Sequence, residues 1–327
     1  MTGKALKLPA ALVPYLRCPG KPDLALVRDG DELVAFGEGG PYRFPVINGT
    51  PVLVDEGNSV FRLSDFTQKS GVTTMDLRER AERVDTLGKK LREAINALIP
   101  PKSRSVTDFD AAAALEDVLG ENPDAKILVV GAGDARFTTD RAACIVYSDV
   151  ALAPDTHMIA DAHDIPFADG TFDAVLSIAV LEHVADPFRC ADEIRRVLKP
   201  GGRVYAITPF LQQVHMGRYD FTRFTAVGHR RLFRWFDEIR SGAANGPGMV
   251  VAWSIEYLFS TMAEGRVARS ALRMVSRFLG WPFLLLDGWL ARKRGVYDCG
   301  SAYYFYGRLR ETPIPDRDIV ETYRGLN

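Results

Sequence analysis

The feature that most constrains this chain is a change of regime at Lys126. From there, short apolar runs fit for buried strands alternate with helical segments: Lys126–Val130, Cys144–Tyr147, His157–Ala160, Phe172–Ile178 and Arg203–Thr208. Continuous apolar runs, without polar alternation, are what strands covered on both faces require, and helices between them supply the cover. Between the last two strands, Asp186 is placed to cap a helix whose first residue is Pro187. Phe188, Ala191, Ile194, Val197 and Leu198 form its apolar face, and Lys199-Pro200-Gly201-Gly202 ends it and turns the chain into the next strand. The spacing therefore predicts an α/β protein built on a parallel sheet.

The regions before Lys126 read differently. Leu24–Val27, Glu32–Phe36 and Val52–Val54 are short apolar segments broken by Gly, Pro and Asp, which predicts a small β-rich module over residues 1–60. Over residues 61–120 the period becomes helical. Leu77, Ala81, Val84, Leu87, Leu91, Ile95 and Leu98 recur at three or four, and a second helix is expected from Ala111 to Leu119 with Asp108 or Asp110 near its N-cap. Residues 121–327 are assigned to the α/β domain. Ala302–Leu309 is expected to return as the last strand beside Phe236–Ser241, which makes about 245–295 a helical insertion and a candidate lid or acceptor wall.

The first strand runs into Gly131-Ala132-Gly133-Asp134-Ala135. Glycines after a parallel strand let the backbone turn sharply and approach a ligand closely. A dinucleotide fold would place a third glycine at position 136, where this chain has Arg136, so a nicotinamide- or flavin-linked oxidoreductase is disfavoured. Asp149 closes the second strand, where an acid can accept hydrogen bonds from both hydroxyls of a ribose.

Lys126 to Phe210, with Asp161-Ala162, Phe172-Asp173-Ala174-Val175 and the Leu198–Gly202 turn, resembles the class I S-adenosylmethionine-dependent methyltransferases, type 11-like. The resemblance implies a Rossmann-like sheet of seven strands with S-adenosylmethionine as cofactor. It implies that Gly131, Ala132 and Gly133 pass under the methionine part, Asp149 holds the ribose, and Asp161 and Ala162 lie beside the adenine. Ala179, Leu181, Glu182 and His183 would sit at the mouth of the site. The chain departs from the pattern at Val129, where the family carries an acid, and at Ala135, where it carries a glycine. Losing the acid removes a partner for the cofactor's amino group, so a non-catalytic binding or partner protein is the alternative reading.

After the fifth strand, His215, Tyr219, Asp220 and Arg223 lie where open α/β sheets bind ligands. Their block is similar to a bacterial subgroup linked to cell-surface glycan or glycolipid biosynthesis, which implies a glycan, lipid-linked or related small-molecule acceptor methylated on oxygen. His215 is the candidate general base, Asp220 its orienting partner, and Arg223 a holder of an anionic group; a simple Asp220–Arg223 brace is the other reading. The N-terminal block ending in Tyr42–Val54 resembles the Trm112-like zinc ribbon. Cys18 stands where one zinc ligand would be and Lys21 where its partner would be, so no metal is expected there or elsewhere.

Composition closes off other classes. Lys+Arg 41 against Asp+Glu 42 gives a net charge of −1, which argues against a dedicated nucleic-acid binder. Four scattered cysteines form no CxxC pair and fit a reducing compartment, so a cytoplasmic location without a secretory leader is expected. Arg266 to Arg294 holds seven basic residues against one acid, Asp287. Two readings of this segment stay open: a helical insertion packed on the sheet, or a basic helix resting peripherally on the inner face of an anionic membrane.

Overall fold

The protein is described by a computed structural model covering residues 4–67, 101–133, 135–139, 141 and 143–326. The helix expected over residues 77–98 lies outside the described residues. The strands are β1 (Arg17–Cys18), β2 (Lys21–Ala25), β3 (Val27–Asp29), β4 (Glu32–Gly37), β5 (Gly40–Ile47), β6 (Thr50–Leu53), β7 (Lys126–Val130), β8 (Cys144–Asp149), β9 (Met158–Ala160), β10 (Phe172–Ile178), β11 (Leu198–Pro209), β12 (Phe236–Asn245) and β13 (Ala302–Leu309).

Among the described residues, the seven strands expected of the α/β domain run side by side in the order β12-β13-β11-β10-β7-β8-β9. β7, β8, β9, β10 and β11 are parallel, and β13 joins antiparallel to both β11 and β12. The sheet does not stop there. β6 adds to β9 in parallel (Val52 opposite Ile159, Leu53 opposite Ala160), and β5, β4 and β3 follow as an antiparallel meander, giving eleven strands in one sheet. A larger sheet was not expected from the N-terminal segments, because their composition shows where strands form but not which edge they join.

Alternation along the central strands fills both faces. Leu128, Val130 and Val175 enter one core, while Ile127, Val129, Ala174 and Leu176 enter the other. Leu8, Leu12, Leu16 and Phe44 lie in the same cluster as Phe167, Phe172 and Leu198, so the N-terminal strands share the central core rather than building their own.

The helices follow their caps. Asp110 accepts from Ala113 N–H at 2.8 Å to start Ala111–Glu121, and Asp186 accepts from Arg189 N–H at 3.0 Å to start Pro187–Val197. Phe188, expected on the buried face, is 43% exposed; Cys190 is buried instead, and Arg231 stacks over the Phe188 ring at 5.1 Å. The Leu198–Gly202 stretch, expected as a turn, already pairs with β10, with a register shift between Leu198 and Arg203 that absorbs the extra residues.

The insertion is a hairpin of helices, Pro247–Thr261 and Arg266–Leu290, between β12 and β13. Asp287, the acid that interrupts its apolar run, is fully buried and accepts from Gly248 N–H at 2.6 Å and Met249 N–H at 3.0 Å. It thus caps the neighbouring helix, whose Gly246–Pro247 start offers no side chain for that purpose.

Candidate functional site

The glycine loop is shaped by contacts that leave little choice of residue. Gly131 has φ +57°, and a Cβ there would meet Val180 Cγ2 at 2.5 Å, so a side chain would be both strained and obstructed. Ala132 N–H donates to Ser148 O at 2.9 Å. Gly133 N–H donates to Asp149 Oδ2 at 2.6 Å, and Asp149 Oδ1 accepts from Ala151 N–H at 2.9 Å. Arg136, in the place of a dinucleotide glycine, donates to Ala135 O at 2.6 Å and Gly133 O at 3.2 Å and closes the loop on itself.

Beside this loop is a cleft of about 570 Å³, lined in part by Gly131, Ala160, Asp161, Ala162, His163 and His183. Its largely apolar wall with a few polar anchors is the lining a small-molecule site requires. Asp161 is the most elaborated of these. It is 4% exposed, bonds Ser59 Oγ through Oδ2, and accepts from His163 N–H at 3.0 Å and His163 Nδ1 at 2.6 Å through Oδ1. The other ring nitrogen, Nε2, accepts from Asp186 N–H at 2.9 Å, which fixes the tautomer. Burial would push the Asp161 carboxyl up, but the bonds from His163 and Ser59 outweigh it and hold the group below its ordinary value. Ser59 arrives from just after β6, so the extended sheet completes this wall of the cleft.

The turn after β10 makes the second half of the site. Ala179 has φ +55°, an uncommon conformation for a residue with a side chain, and its N–H donates to Ile207 O at 3.0 Å. The turn buries Leu181 and Glu182 completely and presents His183 to the cleft. Here His183 meets His215, their ring centroids 4.7 Å apart and edge to face. Both Nε2 atoms point to Glu182 Oε1, at 3.7 Å from His183 and 3.8 Å from His215. His183 Nδ1 lies 2.9 Å from Tyr219 O and His215 Nδ1 3.3 Å from Gln213 O. Desolvation lowers both imidazole pKa values and favours the neutral rings. Neither carboxylate oxygen of Glu182 has a hydrogen-bond partner, and burial pushes the group up to about 8.

Asp220 accepts from His215 N–H at 2.8 Å and from Arg223 Nη2 at 2.8 Å, with a second bond to Arg223 Nη1. Burial would raise its pKa, but these bonds hold it at about 2. Arg223 also donates to Gln212 O at 2.9 Å, Thr222 O at 2.8 Å and Gln213 O at 3.1 Å, so its donors are taken up within the loop. The insertion closes on this side. Gln213 Nε2 donates to Ser254 Oγ at 3.0 Å, Tyr257 hydroxyl bonds Val214 O, and Trp253 stands edge to face with His215 at 6.3 Å.

The structure thus gathers Gly131, Asp161, Ala162 and His183 on one cleft, with His215 behind His183. Leu181 lies in the core, and Asp149 and Arg223 hold loops. One participant carried no assigned role in the sequence, His163, whose signal is its place two residues after Asp161; Glu182, expected at the mouth of the site, is instead fully buried behind His183.

Together, sheet and cleft define the Rossmann-like class. Residues 130–206 match the family model described as a methyltransferase domain. A demethylmenaquinone methyltransferase of Clavibacter sepedonicus is 53% identical over 45 residues, covering 14% of this chain and 18% of its own. Another, from Symbiobacterium thermophilum, is 35% identical over 104 residues, covering 30% and 40%. The chain spans less than a quarter of the length of the first curated relatives it matches. The structure of Burkholderia thailandensis 1,6-didemethyltoxoflavin-N1-methyltransferase, with S-adenosylhomocysteine bound, is similar at TM-score 0.36 and 12% identity, covering 62% of this chain and 80% of that one.

Proposed function

We propose that the whole chain is an S-adenosylmethionine-dependent methyltransferase that methylates a hydroxyl of a glycan, glycolipid or related small molecule. The observation that carries this reading is a single cleft holding Gly131, Asp161, Ala162 and His183, with His215 adjoining it. The cofactor, when bound, supplies an activated methyl group on a sulfonium. The protein's own work is to align the acceptor in line with that bond, exclude water and, for a hydroxyl, help remove its proton. Gly131 gives the cofactor close access to backbone, Asp161 is pre-set as an ionised acceptor, and Gly133 is held by Asp149. His215, its ring neutral and its backbone N–H donating to Asp220 Oδ2, is the general base.

The N-terminal strands act as a Trm112-like scaffold over residues 1–60 that carries Ser59 to the cleft, ahead of a linker over 61–120. The insertion at about 245–295 forms the acceptor wall. Its helix Arg266–Leu290 exposes Phe278, Leu279, Leu285, Leu286 and Trp289 beside basic residues, which suits peripheral contact with an anionic membrane from the cytoplasmic side. Among the described residues no helix is long and apolar enough to cross a membrane. Titration calorimetry with S-adenosylmethionine and S-adenosylhomocysteine tests the central claim. Binding is expected, and no binding of either at millimolar concentration overturns it in favour of a non-catalytic partner protein. Loss of co-sedimentation with anionic vesicles at low salt would remove the membrane reading.

A further inference from the structure

The geometry points to a divalent transition-metal site formed by Glu182, His183 and His215, open toward the donor cleft. One ligand atom from each residue lies within 4.8 Å of the others. The ion would sit between Glu182 Oε1 and the two Nε2 atoms. Those atoms are now 3.7 and 3.8 Å from the oxygen, a few tenths of an ångström wider than the roughly 3.3–3.5 Å that ligands about 2.0–2.1 Å from a tetrahedral ion keep.

The hydrogen-bond pattern argues for a cation independently of that spacing. Each imidazole turns its Nδ1 to acceptors, Tyr219 O at 2.9 Å for His183, and Gln213 O at 3.3 Å with Asp220 Oδ2 at 3.4 Å for His215. That leaves both Nε2 lone pairs aimed at Glu182, as in metal-bound histidines oriented by an outer acceptor. An ionised Glu182 meets only lone pairs there, and both of its oxygens, at 0% exposure, lack a donor. A divalent cation satisfies all three groups at once. Two imidazoles and one carboxylate select first-row transition ions over magnesium or calcium. Three protein ligands leave coordination positions free, and because His183 also lines the cleft, those positions face it.

This reading rests on the proposed methyltransferase function for its substrate: the ion would hold an acceptor hydroxyl oxygen beside the methyl donor and lower its pKa so that the proton leaves to water, and it would replace His215 as the means of deprotonation, because the one lone pair of that ring would go to the ion. Metal binding itself does not depend on that function. The test is cobalt(II) titration of the chelator-treated full chain, read by visible absorption and by thermal unfolding. One equivalent of Co²⁺ should give ligand-field bands and raise the melting temperature, and Zn²⁺ should displace it. His183→Ala and His215→Ala, each checked for a cooperative melt, should weaken Co²⁺ about tenfold or more. Absent bands, or bands of equal affinity in both variants, overturn the site. S-adenosylhomocysteine calorimetry on the same samples separates the two claims. Cofactor binding without metal binding defeats this site alone, and metal binding without cofactor binding defeats the methyltransferase reading alone.

Discussion

Two buried carboxylates, each next to a histidine that lines one cleft, have opposite fates. Asp161 is filled: Ser59, His163 N–H and His163 Nδ1 all bond it. Glu182 is empty of donors although two imidazoles face it. The difference lies in what holds the far side of each ring. An N–H, that of Asp186, meets His163 and so turns its proton toward the acid. Carbonyls meet His183 and His215 and draw their protons away. Proximity of His to an acid therefore says little; the tautomer set by the next neighbour decides whether the pair is a brace or a receptor.

The sharpest break of this comparison is functional. His215→Ala should cut methyl transfer by about 10²–10⁴-fold, as loss of a general base does, while leaving S-adenosylhomocysteine affinity unchanged; steady-state rates beside calorimetry would show it. An equal loss of cofactor affinity would mean that the two halves are not separable. Next in size, Asp161→Ala strands His163 and should lower unfolding free energy by about 3 kcal/mol in urea titration. Glu182→Gln, in chelator, should go the other way and stabilise by about 1 kcal/mol, because it removes an ionisable group with no donors to lose. A loss like that of Asp161→Ala would show that Glu182 is satisfied after all.

A pH dependence is expected at a third carboxylate. Burial first, with repulsion from Glu193 and Asp55, raises Asp164 to about 6, against an opposing bond from Gly20 N–H. The native state thus keeps a proton that the unfolded chain releases near the ordinary value of 3.8. Over that window the native state binds more protons, so stability falls as pH rises, and the contribution is fully present only at lower pH. Asp164→Asn cannot titrate, so its stability relative to wild type should be greater at about pH 7 than at about pH 4 in paired denaturant titrations.

Much of this fold was legible because its signals are local. The strand at Lys126–Val130, the cap at Asp186 and the glycine loop each depend on neighbours within a turn. The pairing of β12 with β13 across the insertion was also readable, from the aromatic stretch Ala302–Leu309. What escaped is set by distance. Asp287 reads as a flaw in an apolar run until Gly248 and Met249 come alongside. Leu181 shares a motif with His183, yet the positive φ at Ala179 sends one into the core and the other to the cleft. Glu182 gains its meaning only from His215, which arrives from another loop.

The attachment of β6 to β9 has a consequence for how the chain is made. Val52 leaves the ribosome about a hundred residues ahead of Ile159, its partner. At about 5–20 residues per second that strand waits roughly 5–20 s with a bare edge. During that interval its neighbours β5 and β4 are the protection within reach, and both lie upstream. The meander is therefore the part of the sheet whose final edge closes late, which exposes the nascent chain to aggregation at β6 until β9 arrives.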